Sequence, residues 1–160
     1  MRPLACSGLG VLFDTCVFVP CLMQELGFPG DLMEIAREEG LYVVVCDTVF
    51  HEYFAVTNRK YAGAGTFVRQ RLDSFVKEGL VVWATSESQD SVIINSTKDQ
   101  HVIDCALNKE ARAHFVITND IEHFQVANSG SAGVLKIVSL KDFRNKRKRE
   151  DLCRDSKQGR

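Results

Sequence analysis

VLFDTCVF at residues 11–18 and VVVCDTVF at residues 43–50 follow one pattern: an apolar run that ends in Asp-Thr and then turns helical. Apolar runs without polar alternation mark strands buried on both faces, as in parallel sheets covered by helices. A carboxylate that follows such a strand stands at its C-terminal end, where open α/β sheets place their chemistry. Asp14 and Asp47 are therefore two working carboxylates, one worker and one helix cap, or two caps.

Outward from these two stretches the pattern recurs. Strands are expected at 11–14, 41–46, 80–84, 114–118 and 134–138. Helix-length segments lie between them at about 16–26, 31–39, 48–58, 66–78, 87–95 and 97–110, and a final helix starts at Ser139. This alternation implies βαβ units, and so an α/β fold: a three-layer α/β/α sandwich around a parallel sheet of about five strands. Gly63-Ala64-Gly65 follows a helix and lacks a third glycine, so it reads as a turn rather than a phosphate loop. NSGSAG at 128–133 reads as a flexible connector. Residues 1–143 are expected to form one domain, and 144–160 a basic, disordered tail.

The totals set limits. A chain of 160 residues, 45% apolar and 26% charged, suits one soluble globular domain with a real core. The net charge of −1 hides a dense basic run, KDFRNKRKRE at 141–150. The six cysteines form no C-x-x-C pair, which favours reduced, buried thiols in a cytosolic protein. His101 and Cys105 have the spacing of half a zinc site, but no second half is visible. The first residues imitate a secretion signal only until Ser7-Gly8 and Asp14 interrupt them. No segment approaches the roughly 18 apolar residues of a membrane span, so a cytoplasmic protein without a membrane partner is expected.

Helical position separates an acid with a task from one on a solvated face. At about 100° per residue, Val102, Ile103, Cys105, Ala106 and Leu107 centre their arc on the direction of Asp99, while Asp104 points away. Asp99 either closes a capping box with Ser96 or stands at the inward end of the helix for another reason. In VFHEYFAV, Glu52 is flanked by Val49, Ala55 and Val56, and His51 looks outward. An inward carboxylate needs a cation, from a salt bridge or a metal. The strand at 114–118 runs into Thr118-Asn119-Asp120, where Asp120 caps the short 121–125 helix or joins a site. Asp14, Glu52, Asp99 and Asp120 then gather at one sheet edge, where divalent cations would relieve their repulsion. Hard oxygen ligands suit Mg²⁺ or Mn²⁺, and one or two such ions are the machinery of phosphodiester hydrolysis.

From Val11 to Phe143 the chain resembles a PIN domain, the metal-dependent ribonuclease fold of VapC-like toxins. VLFDTCVF resembles the family's opening strand, VFHEYFAV its Glu-bearing helix, and KDQHVIDCALNKEARAHFVITNDIEHF its most specific stretch. The resemblance implies that Asp14, Glu52, Asp99 and Asp120 hold the metals. Thr15, Thr118 and Asn119 would support them, and Asp47 would serve as the N-cap of the Glu52 helix. It further implies an RNA substrate, an antitoxin partner and a homodimer. Cys16 replaces a frequent Asn, and His123 stands where relatives often carry an acid.

Arg59, Lys60, Arg69 and Arg71, with Lys146 and Arg147 of the basic run, are the candidate contacts to an RNA backbone. Two rivals remain. One is a non-catalytic module of the same fold that binds RNA or protein. The other is a haloacid-type phosphatase, whose chemistry needs an Asp where Cys16 stands.

Overall fold

The computed structural model describes residues 5–24, 31–85, 97–124 and 135–158. The expected helix at 87–95 and the connector at 128–133 lie outside these residues. In chain order the elements are β1 (Gly10–Phe13), α1 (Thr15–Leu22), α2 (Leu32–Glu39), β2 (Tyr42–Cys46), α3 (Asp47–Lys60), α4 (Gly65–Glu78) and β3 (Val81–Ala84). A 3-10 turn (Thr97–Asp99), α5 (Gln100–Ala106), β4 (Phe115–Thr118), a second 3-10 turn (Ile121–Phe124), β5 (Lys136–Ser139), α6 (Leu140–Arg144) and α7 (Lys146–Gln158) follow.

The five strands pair in the order β3-β2-β1-β4-β5, all parallel. β1 and β4 are buried along their whole length, as their unbroken apolar runs require. Phe13 of β1 meets Phe18 of α1 and Phe143 of α6 on one face of the sheet. Cys46 of β2 is joined to Cys105 of α5, which forms the layer on the other face. The expected three-layer α/β/α sandwich is present. The chain winds from β1 to β2 and β3 on one side, then returns to β4 and β5 on the other. The switch point therefore falls between the C-terminal ends of β1 and β4, where such sheets leave a crevice.

Several boundaries differ from expectation. The helix expected to run to 110 stops at Ala106, because Asn108 closes the chain on itself. Its Oδ1 accepts from the Glu110 and Ala111 N–H groups, and its Nδ2 donates to the Cys105 and Ala111 carbonyls. Gly63-Ala64-Gly65 is the joint between α3 and α4: Gly63 has φ +79°, and the Gly65 N–H donates to Asn58 Oδ1 at 2.7 Å. A Cβ on Gly65 would meet the Asn58 amide and the Phe54 ring, so the two helices could not approach as they do.

Two expectations fail outright. Four of the six cysteines are paired, Cys6 with Cys153 and Cys46 with Cys105, leaving Cys16 and Cys21 free. The cysteines therefore supply no argument for the cytoplasm, since such bridges persist in oxidising surroundings. Within the stretch expected as a disordered tail, residues 146–158 form α7, whose Arg149, Cys153 and Ser156 are buried. Arg149 donates to Glu39 at 3.0 Å and lies over the Phe143 ring, so its charge is compensated inside the fold. Among the described residues no helix is long and apolar enough to cross a membrane.

Candidate metal centre at the switch point

β1 ends at Phe13, and Asp14 follows in extended conformation with φ −62° and ψ 153° as the N-cap of α1. Its Oδ1 accepts the Thr15 N–H at 2.9 Å, and its N–H donates to the Ile117 carbonyl of β4. Oδ2 accepts the Thr118 hydroxyl at 2.8 Å and the Cys16 thiol at 3.4 Å. The Thr118 hydroxyl oxygen in turn accepts the Asp120 N–H at 3.0 Å, which fixes the turn that carries Asp120. One threonine at the end of β4 thus positions both acids of the switch point.

Asp14, Cys16 and Asp120 each present one ligand atom within 4.8 Å of the others. Burial pushes the Asp14 carboxyl above its ordinary value, and the Thr118, Cys16 and Thr15 hydrogen bonds offset this only in part; the nearby Asp99 charge raises it further. The Cys16 thiol is pushed up to about 12 by burial and by the Asp14 charge. Cys16 is therefore a protonated donor at neutral pH, with the Asn119 N–H against its sulfur. Two carboxylates of opposite exposure, one buried and one open, with a hydroxyl between them, fit a hard divalent cation. The thiol does not compete for such an ion while it keeps its proton.

Glu52 and Asp99 lie around this centre, each with a histidine. Glu52 pairs with His101, and Asp99 with His123 at 3.3 Å. Burial raises Glu52, but bonds from His101 and Thr15 outweigh it and hold its carboxyl below the ordinary range. The Glu52 bond raises His101, against the effect of its burial, and the Asp99 and Asp14 charges raise it further. Because α3 and α5 lie on opposite faces of the sheet, the Glu52–His101 pair closes over its edge. The Cys46–Cys105 bridge ties the start of α3 to α5 just below it.

Sequence reasoning missed the part that these histidines play. The spacing signal was present in Asp99-x-His101 and Asp120-x-x-His123, but neither spacing says which acid a histidine will meet. The zinc half-site of His101 and Cys105 does not form, since His101 meets Glu52 and Cys105 is in a disulfide.

The assignment of Asp47 as the N-cap of α3 is overturned. The N-cap position is Cys46, which makes no side-chain cap, and Asp47 is the first helical residue. Its Oδ1 accepts the Trp83 indole N–H at 2.7 Å.

Of the candidate RNA contacts, Arg59 and Lys60 are exposed in the last turn of α3, roughly 12 Å along its axis from Glu52. Arg69 stacks on Phe50 and Trp83, and Arg71 on Phe75. Lys146 and Arg147 are exposed in the first turn of α7. The anchors of that helix, Glu39 and Cys6, precede β2 and β1 and so lie by the opposite edge of the sheet.

No curated protein and no solved structure matches the chain significantly. A family model, the PIN domain, matches residues 10–122, a span that holds β1 with Asp14, the Glu52 helix and β4 with Asp120. With most of its length matched and its acids set at the switch point of a parallel sheet, the chain belongs to the PIN domain family.

Proposed function

We propose that this chain is a Mg²⁺- or Mn²⁺-dependent endoribonuclease, acting in the cytoplasm as the toxin of a toxin–antitoxin pair. PIN domains are commonly nucleases, and the observation that carries the reading here is the Asp14–Asp120 pair. Asp14 is buried with its carboxyl raised, so the protein alone does not compensate its ionised form. A divalent cation there would supply Lewis-acid activation of an attacking water and charge for the leaving oxygen.

The chain's own residues have separate tasks. Asp14 and Asp120 hold the cation, while Thr15 and Thr118 keep the Asp14 oxygens aimed through their hydrogen bonds. Glu52 and Asp99 complete the set, and His101 holds Glu52 in place until a phosphate or cation draws it away. Arg59, Lys60 and Arg71 offer charge to the backbone of the substrate, while Lys146 and Arg147 stand on α7, which is anchored by the opposite edge of the sheet. An antitoxin and a homodimer belong to the same proposal, and light scattering of the purified protein tests the dimer.

The experiment is RNA cleavage by purified protein with Mg²⁺ or Mn²⁺, with and without EDTA. Cleavage that stops in EDTA and returns with either ion supports the reading, and full activity in EDTA removes it.

One observation favours a second reading, a non-catalytic module that binds RNA. Glu52 and Asp99 are each engaged by a histidine. RNA binding without cleavage in either ion would select it. The phosphatase alternative has no support, because Cys16 donates to Asp14 from the place where a second acid is needed.

A further inference from the structure

We propose that Arg69 and Trp83 form a stacking platform for one unpaired base of single-stranded RNA. The choice of RNA rests on the ribonuclease reading above. The guanidinium of Arg69 in α4 lies 5.0 Å from the Trp83 ring centroid and 5.1 Å from that of Phe50. Those two rings are themselves 5.0 Å apart and tilted by 50°, so the guanidinium covers the cleft between them. Asp73 holds the group from one side through Nε, at 3.2 and 3.4 Å. The Arg69 side chain is nevertheless 52% exposed, so a cation that covers both rings is open to solvent.

The position points to the same ligand as the metal centre. Trp83 pairs with Val45 near the C-terminal end of the sheet, and its indole bonds Asp47 at that edge. β3 is two strands from β1, about 10 Å along the edge from Asp14. Between them runs an exposed strip of Asp47, Thr48 and His51 on the first turns of α3, leading to the half-buried Glu52. A single strand laid on this edge would reach both places.

The chemistry favours a base over a phosphate. Arg69 is already paired with Asp73, and Asp47 stands beside Trp83, so a phosphate gains little net attraction here. What remains open is the planar face of the guanidinium, and such planes and aromatic rings stack unpaired bases in many RNA-binding proteins. A duplex keeps its base faces covered and offers the platform nothing.

Trp83 is the only tryptophan of the chain, so its fluorescence reports this place alone. The protein is the full-length Asp14→Asn variant in EDTA, so that the strand stays intact. A single-stranded oligoribonucleotide should quench Trp83 saturably, and a duplex of the same sequence should not. By anisotropy of labelled RNA, Arg69→Ala should weaken binding about tenfold, the size of one base stack. Arg69→Lys should lose as much, because an ammonium keeps the charge without the plane. Wild-type affinity in Arg69→Lys, or equal quenching by the duplex, would overturn the platform in favour of a simple charge. Cleavage by the wild type without any Trp83 response would also overturn it and leave the nuclease standing. A Trp83 response without cleavage supports the platform while the nuclease reading falls. Neither binding nor cleavage would overturn both.

Discussion

The β1–α1 corner and the β2–α3 corner share an Asp-Thr pair after an apolar strand, yet Asp14 is 5% exposed and Asp47 lies open to solvent. The difference begins with one residue of register. β1 stops at Phe13, so Asp14 takes the extended N-cap position and its oxygens turn back onto the Thr15 N–H and across to Thr118. β2 continues through Cys46, which occupies the N-cap place, and Asp47 is carried into the first helical turn. The neighbours complete the contrast. β1 is the middle strand and meets β4 at the switch point, whereas β2 is bordered by the edge strand β3 and its Trp83. Identical dipeptides therefore yield a buried, hydrogen-bonded acid at one corner and a surface acid at the other. Of the two, Asp14 is the helix cap, and it is also the acid at the candidate site.

The largest test of this contrast is Asp14→Asn. Cleavage should fall by more than about a hundredfold, because an amide cannot supply the charge that holds a divalent ion. The melting temperature in EDTA should stay level or rise. Burial raises the Asp14 carboxyl, so at neutral pH its ionised form works against the fold, and the stability it lends is complete only below its unfolded value of 3.8. An active Asp14→Asn protein in Mg²⁺ would break the comparison.

Next in size is the covalent tie at the second corner. Among the described residues the first corner has no covalent tie, while Cys46 is bridged to Cys105 across 59 residues. Replacing both cysteines with alanine should cost about 3 kcal/mol and lower the melting temperature by roughly 10 °C. If the variant and the parent melt together under oxidising conditions, packing rather than the bridge holds this corner.

A smaller effect should come from the pair that joins α3 of the second corner to α5, Glu52 and His101. His101 is raised, so the stability its contact adds is complete below the unfolded value of 6.5 and is lost as pH climbs through the folded one. Glu52 is lowered, so its share is complete above 4.5 and is lost as pH falls through its folded value. The pair contributes most between those limits. His101→Gln in EDTA should therefore lie further below the wild type in melting temperature at pH 6 than at pH 9. A gap that does not change with pH would show that the contact carries no charge.

The smallest change is expected of Asp47→Ala. It removes the Trp83 bond and an acid from the first turn of α3, worth about 0.5 to 1 kcal/mol on an exposed surface. The melting temperature should fall by about 2 °C and cleavage should persist. Loss of cleavage in this variant would place both Asp-Thr corners in the active site.

α7 shows where sequence reading lost its grip. Arg149, Leu152, Cys153 and Ser156 stand at i, i+3, i+4 and i+7, a helical stripe that the fold covers. Only two of the four are apolar, so the stripe does not stand out from a run of Lys and Arg. Its burial depends on Glu39 and Cys6, 110 and 147 residues away in the chain. The start of α5 was legible from its apolar arc, but its end was not, because Asn108 acts through four hydrogen bonds that composition does not reveal.

From the sequence alone came the strand and helix alternation and the parallel sheet, and a resemblance in its motifs pointed to the family. The alternation and the sheet rest on local patterning: apolar runs buried on both faces and helical periodicity. Only the tertiary structure decided which Asp-Thr pair is the cap, which cysteines join, and which acid meets a histidine. Those outcomes turn on distances of a few ångströms between residues far apart in the chain. A one-residue shift at the end of a strand is enough to change a carboxylate's partners, and periodicity does not resolve boundaries that finely.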